Sequence, residues 1–519
     1  MSLNENKTKA CRNKIKLETL SKICDRYGLS DRSAAAIATA VLQDVGVVSS
    51  EDTTNVIDRS KVRRARSKNR ENIQQQHGFC LNNIAALYFD GKKDKTLCQE
   101  KVDNKYYRKS VVEEHISLIQ EPGSHYIGHV APNSSSAKNI AEEILNFFEK
   151  RNFHLQDLMV VGCDGTVTNT GFKNGIITQL EVKLKRPLQR FICQLHGNEL
   201  LLRHLFNHID GNTTGPKGYS GLIGKQLEKC HILEIVQFQP IPCKLPVVDV
   251  TELSTDQKYL YEICCSIEDS NFSSDVFKRD PGKMSHSRWL TTANRILRLY
   301  TGSRSPTPNL QILANFIMQV YAPMWFSIKF NSSCKNGATH VWKTVQLTRY
   351  LDESLKKVID PVISRNSYFI HPENLLLSML ADSRTHIREL ALRRILKAKL
   401  READVDSDVI RPFRVPVINF SAIDYVDLID WQTCEITSPP VLQNFSVEDI
   451  EQLVFSDSEK MVELTSFPCH TQAVERCVKL VSEASLSVIG SGARDGFILA
   501  NIQCRQKMPH FETKREFNQ

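Results

Sequence analysis

No stretch of this chain approaches the roughly 18 to 20 uninterrupted apolar residues that a membrane-spanning helix requires, so an integral helical membrane protein is not expected. The polar segment Met1 to Lys7 lacks the apolar run of a secretory signal. The 15 cysteines follow no regular framework. Together these absences point to a soluble protein of a reducing compartment, in the cytosol or the nucleus. No internal repeat is found, and no Cys-x-x-Cys is followed by suitably spaced histidines, so a zinc finger is not expected. A nucleotide loop is missing as well. In Gly218 to Lys225, Tyr219 stands where a phosphate-binding loop needs its first glycine, and Gln226 replaces the Ser or Thr that would hold Mg²⁺. Gly490-Ser491-Gly492 lacks a convincing preceding strand and reads as a flexible turn.

What is present is an ordinary globular composition, 41% apolar and 24% charged, far from that of a disordered chain. At 519 residues, two or three structural units are expected. Lys and Arg number 67 against 59 Asp and Glu, a formal charge of +8 that is compatible with a phosphate-bearing partner. Residues 1 to about 50 read as helical, with an apolar stripe through Ala34, Ala35, Ile37, Ala38, Ala40, Val41 and Leu42. A basic run follows, Arg59, Lys61, Arg63, Arg64, Arg66, Lys68 and Arg70, which is either a solvated helix face or linker or a segment for phosphate contact or nuclear import.

From about residue 78, strand-like and helix-like segments alternate. Ile84 to Phe89 reads as a buried strand and His125 to Val130 as another, bounded by Pro122-Gly123 and Pro132-Asn133. Ile140, Ile144, Phe147 and Phe148 recur at helical spacing behind Ser134 to Ser136, which can supply a cap. Leu158 to Val161 returns to strand, Phe172 to Lys185 carries Ile176, Ile177, Leu180 and Leu184 on one helical face, and Leu188 to Leu195 is again strand. Such alternation implies parallel neighbours with functional residues at the carboxyl ends of strands. Asp90 and Asp164 occupy two such ends, in Leu87-Tyr88-Phe89-Asp90-Gly91 and Met159-Val160-Val161-Gly162-Cys163-Asp164-Gly165.

Residues from about 198 to 435 lose the alternation. Helix-like stretches cover Leu200 to His208, Thr291 to Tyr300, Leu310 to Tyr321, Ala338 to Val358 and His386 to Lys399. A Pro-containing segment, Pro412 to Pro440, precedes a further helix over Thr471 to Glu483 that carries Glu475. The expected organisation is an N-terminal helical region and basic linker over 1–75, the first part of an α/β core over 76–200, a mostly helical insertion over 201–440, and a C-terminal segment completing the core over 441–519.

These landmarks resemble the transposases of the hAT group and proteins derived from them, in which a ribonuclease-H-like mixed sheet is split by a large, mostly α-helical insertion. The resemblance covers most of the chain beyond residue 80. It rests on Asp90-Gly91, on Asp164 with Asn169 behind it, on Cys193-Gln194-Leu195-His196 with Asn198, Leu200 and Leu201, on Arg288-Trp289-Leu290-Thr291, and on Pro468 placed seven residues before Glu475-Arg476. Two departures stand out. Asn169 follows Asp164 by five residues where the family has four, and Val478-Lys479 replaces the aromatic and serine expected after Glu-Arg.

The resemblance implies a DDE-type carboxylate triad of Asp90, Asp164 and Glu475 that binds Mg²⁺ or Mn²⁺ and supports DNA strand cleavage and transfer. Carboxylates suit that task, because Mg²⁺ prefers hard anionic oxygens and paired ions stabilise attacking and leaving oxygens. Taken singly, Asp-Gly is a common turn dipeptide and Glu475 a solvated helix charge. Cys193 and His196 would be half of a zinc set, with His204 and His208 four apart on the following helix; the resemblance assigns Cys193 and His196 a structural role near the site, and no stable zinc is expected. Trp289 is either a core aromatic of the insertion or a base-stacking residue beside Arg288, with Arg295 and Arg298 positioned to meet phosphates. The sequence thus points to a DNA-binding, transposase-like protein that resides in the nucleus or, alternatively, the cytoplasm and forms homo-oligomers as the family does. The rival is a non-catalytic scaffold of the same descent that binds DNA or protein.

Overall fold

The computed structural model describes residues 15–78, 83–213, 218–284, 289–402, 413–436, 440–442, 446–448, 450 and 463–507. Five strands form one mixed sheet in the order β3-β2-β1-β4-β5. β1 (Ala86–Val102), β2 (Lys105–Glu121) and β3 (His125–Val130) are antiparallel neighbours. On the other side of β1, β4 (Val160–Cys163) and β5 (Gln189–Ile192) run parallel to it. The third strand has the bounds its sequence suggested. The first does not, because it continues thirteen residues past Phe89 and folds back on β2 as a hairpin 17 residues long on each side.

Alternation along the strands divides the interior into two packed layers. Leu87, Phe89, Val161 and Ile192 face one side, where they meet Ile140, Ala141, Ile144 and Phe148 of α4 (Ala137–Glu149) and Ile176, Ile177 and Leu180 of a second helix, Ile176–Leu184. Ser136 caps α4, its hydroxyl accepting from Asn139 N–H at 3.3 Å. Ala86, Tyr88, Val160 and Phe191 face the other side and join a larger core built with the Gln194–Asp210 helix, the helical segments between 222 and 402, and the Gln472–Ser487 helix. Each fully buried Leu or Phe there contributes about 1.5 to 3 kcal/mol relative to exposure. Between Ile317 and Tyr321 the chain widens into a single π-type turn just before Pro323, which has no N–H to continue an ordinary ladder.

Two further expectations need correcting. The strand suggested through Leu195 ends at Ile192, and Gln194 already begins a helix, because Cys193 acts as its cap. Ala338 to Val358 is not one helix: Gly337–Leu347 ends, and Asp352 caps Glu353–Asn366 by accepting from Leu355 N–H at 3.0 Å. The basic run lies on Arg59–Gly78, which packs with Glu18–Arg26 and with the Ser491–Lys507 helix. Its Arg66 and Arg70 are spent on the wholly buried Asp25 carboxylate, at 2.5 and 2.6 Å, while Arg59, Arg63, Arg64 and Lys68 stay exposed. Among the described residues no helix is long and apolar enough to cross a membrane.

Candidate carboxylate site

The register Ala86↔Val160, Leu87↔Val161, Tyr88↔Gly162 sets Asp90 and Asp164 two residues beyond the last paired position on neighbouring parallel strands. Period-two geometry then gives Asp90 the same side of the sheet as Tyr88, the side on which the Gln472–Ser487 helix packs. Glycines allow the close approach. A Cβ on Gly162 would lie 2.6 Å from the Tyr88 ring, and one on Gly91 would lie 2.3 Å from Ile116 Cδ1.

Glu475 reaches this region because the segment before it is threaded between three distant parts of the chain, at Tyr88, Cys193–Gln194 and Ser332–Cys334. Tyr88 donates its hydroxyl hydrogen to the Pro468 carbonyl. Cys334 N–H donates to Phe467 O at 2.7 Å, Cys469 N–H to Ser332 O at 2.6 Å, and Gln194 N–H to Cys469 O at 3.0 Å. Thr471 N–H points at Cys193 Sγ at 3.4 Å, and Thr471 Oγ1 donates to Glu475 Oε1 at 3.0 Å.

The carboxyl of Asp90 is pushed up to about 7, first by burial and then by the negative charges of Glu475 and Asp164. A bond from Gly91 N–H at 2.7 Å opposes the rise but does not cancel it. The negative charges of Glu475 and Asp164 therefore both act on Asp90. Asp164 is fixed differently: its Oδ1 accepts from Thr166 N–H at 3.1 Å, Thr166 Oγ1–H at 2.9 Å and Asn169 Nδ2–H at 2.6 Å. Thr166 and Thr471 do not stand out in the sequence, although Asp-Gly-Thr is the pattern of an Asx turn and signals the first.

Asp90, Asp164 and Glu475 would offer an all-oxygen donor set of the kind hard divalent cations favour. Among the described residues, however, no group of three or more His, Cys, Asp or Glu side chains already stands at metal-holding geometry. Cys193 serves as a hinge point. Its sulfur accepts from both Thr471 N–H and His196 N–H, and burial together with Glu475 pushes its thiol up to about 12. His196 lies one turn along, half-buried.

The expected DNA-contacting group fares otherwise. Arg288 lies outside the described residues. Trp289 is 4% exposed and packs edge-on against Phe206 at 5.7 Å, so the core-aromatic alternative describes its surroundings. Arg295 is buried and donates to the carbonyls of Gly282 and, at 2.9 Å, Leu227. Arg298 is buried too and donates to the carbonyls of His231 and Leu233. These three side chains hold the insertion together, and none of them offers an exposed group to a phosphate or base.

No family model and no curated protein matches the chain. Among solved structures, a Drosophila P element transposase strand transfer complex is similar at 12% identity over 96% of this chain and 93% of that one, with a TM-score of 0.32. A likeness at that level carries no functional argument.

Proposed function

We propose that this chain is a transposase-like DNA-processing protein of the hAT kind, with a ribonuclease-H-like core whose Asp90, Asp164 and Glu475 form a DDE-type triad working in the nucleus. The observation that carries this reading is the raised carboxyl of Asp90, an acid within β1 that feels the charges of two others from 74 and 385 residues further along the sequence. A carboxyl such as Asp90, buried beside two further negative charges, is costly to the fold. Such a cost is characteristic of functional sites.

In this reading the three acids would hold Mg²⁺ or Mn²⁺, and the bound ion would supply Lewis-acid stabilisation of phosphoryl oxygens. The chain's own contributions are positional. Thr166 and Asn169 occupy one oxygen of Asp164 and leave the other free, Thr471 steadies Glu475, and Tyr88 ties β1 to the segment leading into the Glu475 helix. A second reading, the non-catalytic scaffold, is favoured by the absence of a ready metal-holding group among the described residues. Incubation with supercoiled DNA and Mg²⁺ or Mn²⁺ separates the two. Nicking by the wild type and not by Asp164→Asn is expected; equal nicking by both removes the triad, and DNA binding without nicking leaves the scaffold.

A further inference from the structure

The hairpin of β1 and β2 extends well beyond the helices that cover its base. Asp94 is bonded by Ser482, His115 lies against Thr96 and Ser485, and Arg494 faces Glu113 at 3.8 Å, so the C-terminal helices cover one face of the stem. Past that cover, every residue from Gln99 to Ser110 is exposed. Ordering a residue costs backbone entropy, and a bare two-stranded ribbon is marginal by itself. Nothing on this distal part is buried in return.

Its charge is one-sided. Seven Lys or Arg stand against three Asp or Glu between Lys92 and Lys109, a net +4 within a chain of net +8. The pairing Gln99↔Arg108, Lys101↔Tyr106, Lys95↔Val112 and Lys93↔Glu114 puts Lys93, Lys95, Lys101 and Arg108 on one face with a single acid, Glu114. On the opposite face Lys109 is already paired with Glu100 at 3.4 Å and Lys92 with Asp94 at 3.0 Å. The free basic face also presents Tyr106 and Val112, 64% and 69% exposed. From Lys93 to Lys101 it spans roughly 27 Å at strand rise.

We propose that this face of the β1–β2 ribbon binds the backbone of duplex DNA. The proposal rests on the DNA-handling reading above and adds the element that grips the duplex. Phosphates follow one another every 3.4 Å or so along each strand of the duplex, so four cations spread over this length have about eight phosphates of one strand within reach. The major groove, about 12 Å wide, admits a two-stranded ribbon, which lets Tyr106 approach the sugar walls while the lysines reach phosphates. The contact is with backbone rather than sequence, since Lys and Arg at phosphates position without reading bases. It is also separate from the carboxylates: Lys93, Lys95 and Lys101 are one residue out of phase with Asp90 and lie on the other side of β1.

The experiment is fluorescence anisotropy of the full chain with a labelled random-sequence duplex from about 50 to 200 mM salt. Substituting Lys93, Lys95, Lys101 and Arg108 by Gln should lower the slope of log affinity against log salt by about 3 to 4, since each phosphate neutralised by a cation contributes about 0.9. The three Lys→Arg substitutions should leave the slope unchanged. An unchanged slope in the Gln variant, with wild-type binding intact, overturns the ribbon and leaves the DNA reading standing; it would mean that the lysines only guard open strand edges against pairing. An equal loss on substituting Arg59, Arg63, Arg64 and Lys68 with no loss at the ribbon assigns the contact to the N-terminal helix and likewise overturns it. No binding by the wild type at any salt removes both readings. Tighter binding of single-stranded RNA than of duplex, abolished in the same Gln variant, also rejects the proposal.

Discussion

Replacing Asp90 with asparagine should stabilise the folded protein at pH 8 and change nothing at pH 4. In the unfolded chain this carboxyl loses its proton near 3.8, whereas in the fold it holds it up to about 7. The folded state therefore binds the extra proton between those values, and the contribution of this carboxyl to wild-type stability falls as pH rises through that window. A displacement of about three pH units at 1.36 kcal/mol each corresponds to about 4 kcal/mol above pH 7. Water around a half-buried group screens part of this, so about 2 kcal/mol is the expected gain. Urea denaturation of wild type and Asp90→Asn at intervals from pH 4 to 8, without divalent ions, measures it. The difference should open between pH 4 and 7 and then stay level. Mg²⁺ should close it by stabilising only the wild type, since an ion that binds the fold alone adds stability by mass action. A constant difference across the range would refute the reasoning, because the acids would then not share one electrostatic neighbourhood.

Four other outcomes follow from the same structure. Asp25→Ala should cost about 3 to 5 kcal/mol in denaturation, since it leaves Arg66 and Arg70 facing an empty buried site. Gly162→Ala should cost about 1 to 3 kcal/mol and lower any nicking activity further, because the new Cβ displaces the Tyr88 ring that anchors Pro468. Arg295→Gln should reduce the melting temperature while leaving DNA affinity per folded molecule unchanged; a selective loss of affinity would restore its assignment to DNA contact. His115, His340, His371 and His470 are held neutral by burial down to about 4, 4, 3 and 4, so the unfolded chain takes up their protons first and stability should fall as pH drops below about 6.5. His340→Gln should flatten that fall in a pH-resolved urea series.

The sheet is legible where burial writes itself into the sequence. His125–Val130, Val160–Cys163 and Gln189–Ile192 are short strands each followed by a helix, and apolar residues mark them. The distal parts of β1 and β2 are not, because an exposed ribbon has no buried face, and Lys92 to Lys101 carries only the charged half of the signal, whereas Ile116 to Ile119 of β2 is as buried as the short strands. The placement of Cys193 misleads for a related reason: the last buried residues of a strand and the first of a capped helix are both apolar and adjoin without a turn residue. The position of Asp164 just past a strand end can be read from local pattern alone, although Asp90, which reads the same way, lies within β1 opposite Ser117. Where Glu475 sits cannot, since it depends on bonds made by Tyr88, Gln194 and Ser332, none of which is near it in sequence. The buried arginines of the insertion look like surface groups because helical spacing does not distinguish a guanidinium facing water from one that closes on backbone carbonyls.

The threading of Phe467 to Thr471 through the interior also orders events during synthesis. A ribosome delivers Asp90 and Asp164 early, but the piece that carries their companion emerges hundreds of residues later and docks onto surfaces made of everything in between. A product terminated early, by a nonsense codon or by proteolysis ahead of Phe467, would keep Asp90 and Asp164 yet lack both Glu475 and the Gln472–Ser487 helix whose Ser482 and Ser485 cover the stem of the hairpin.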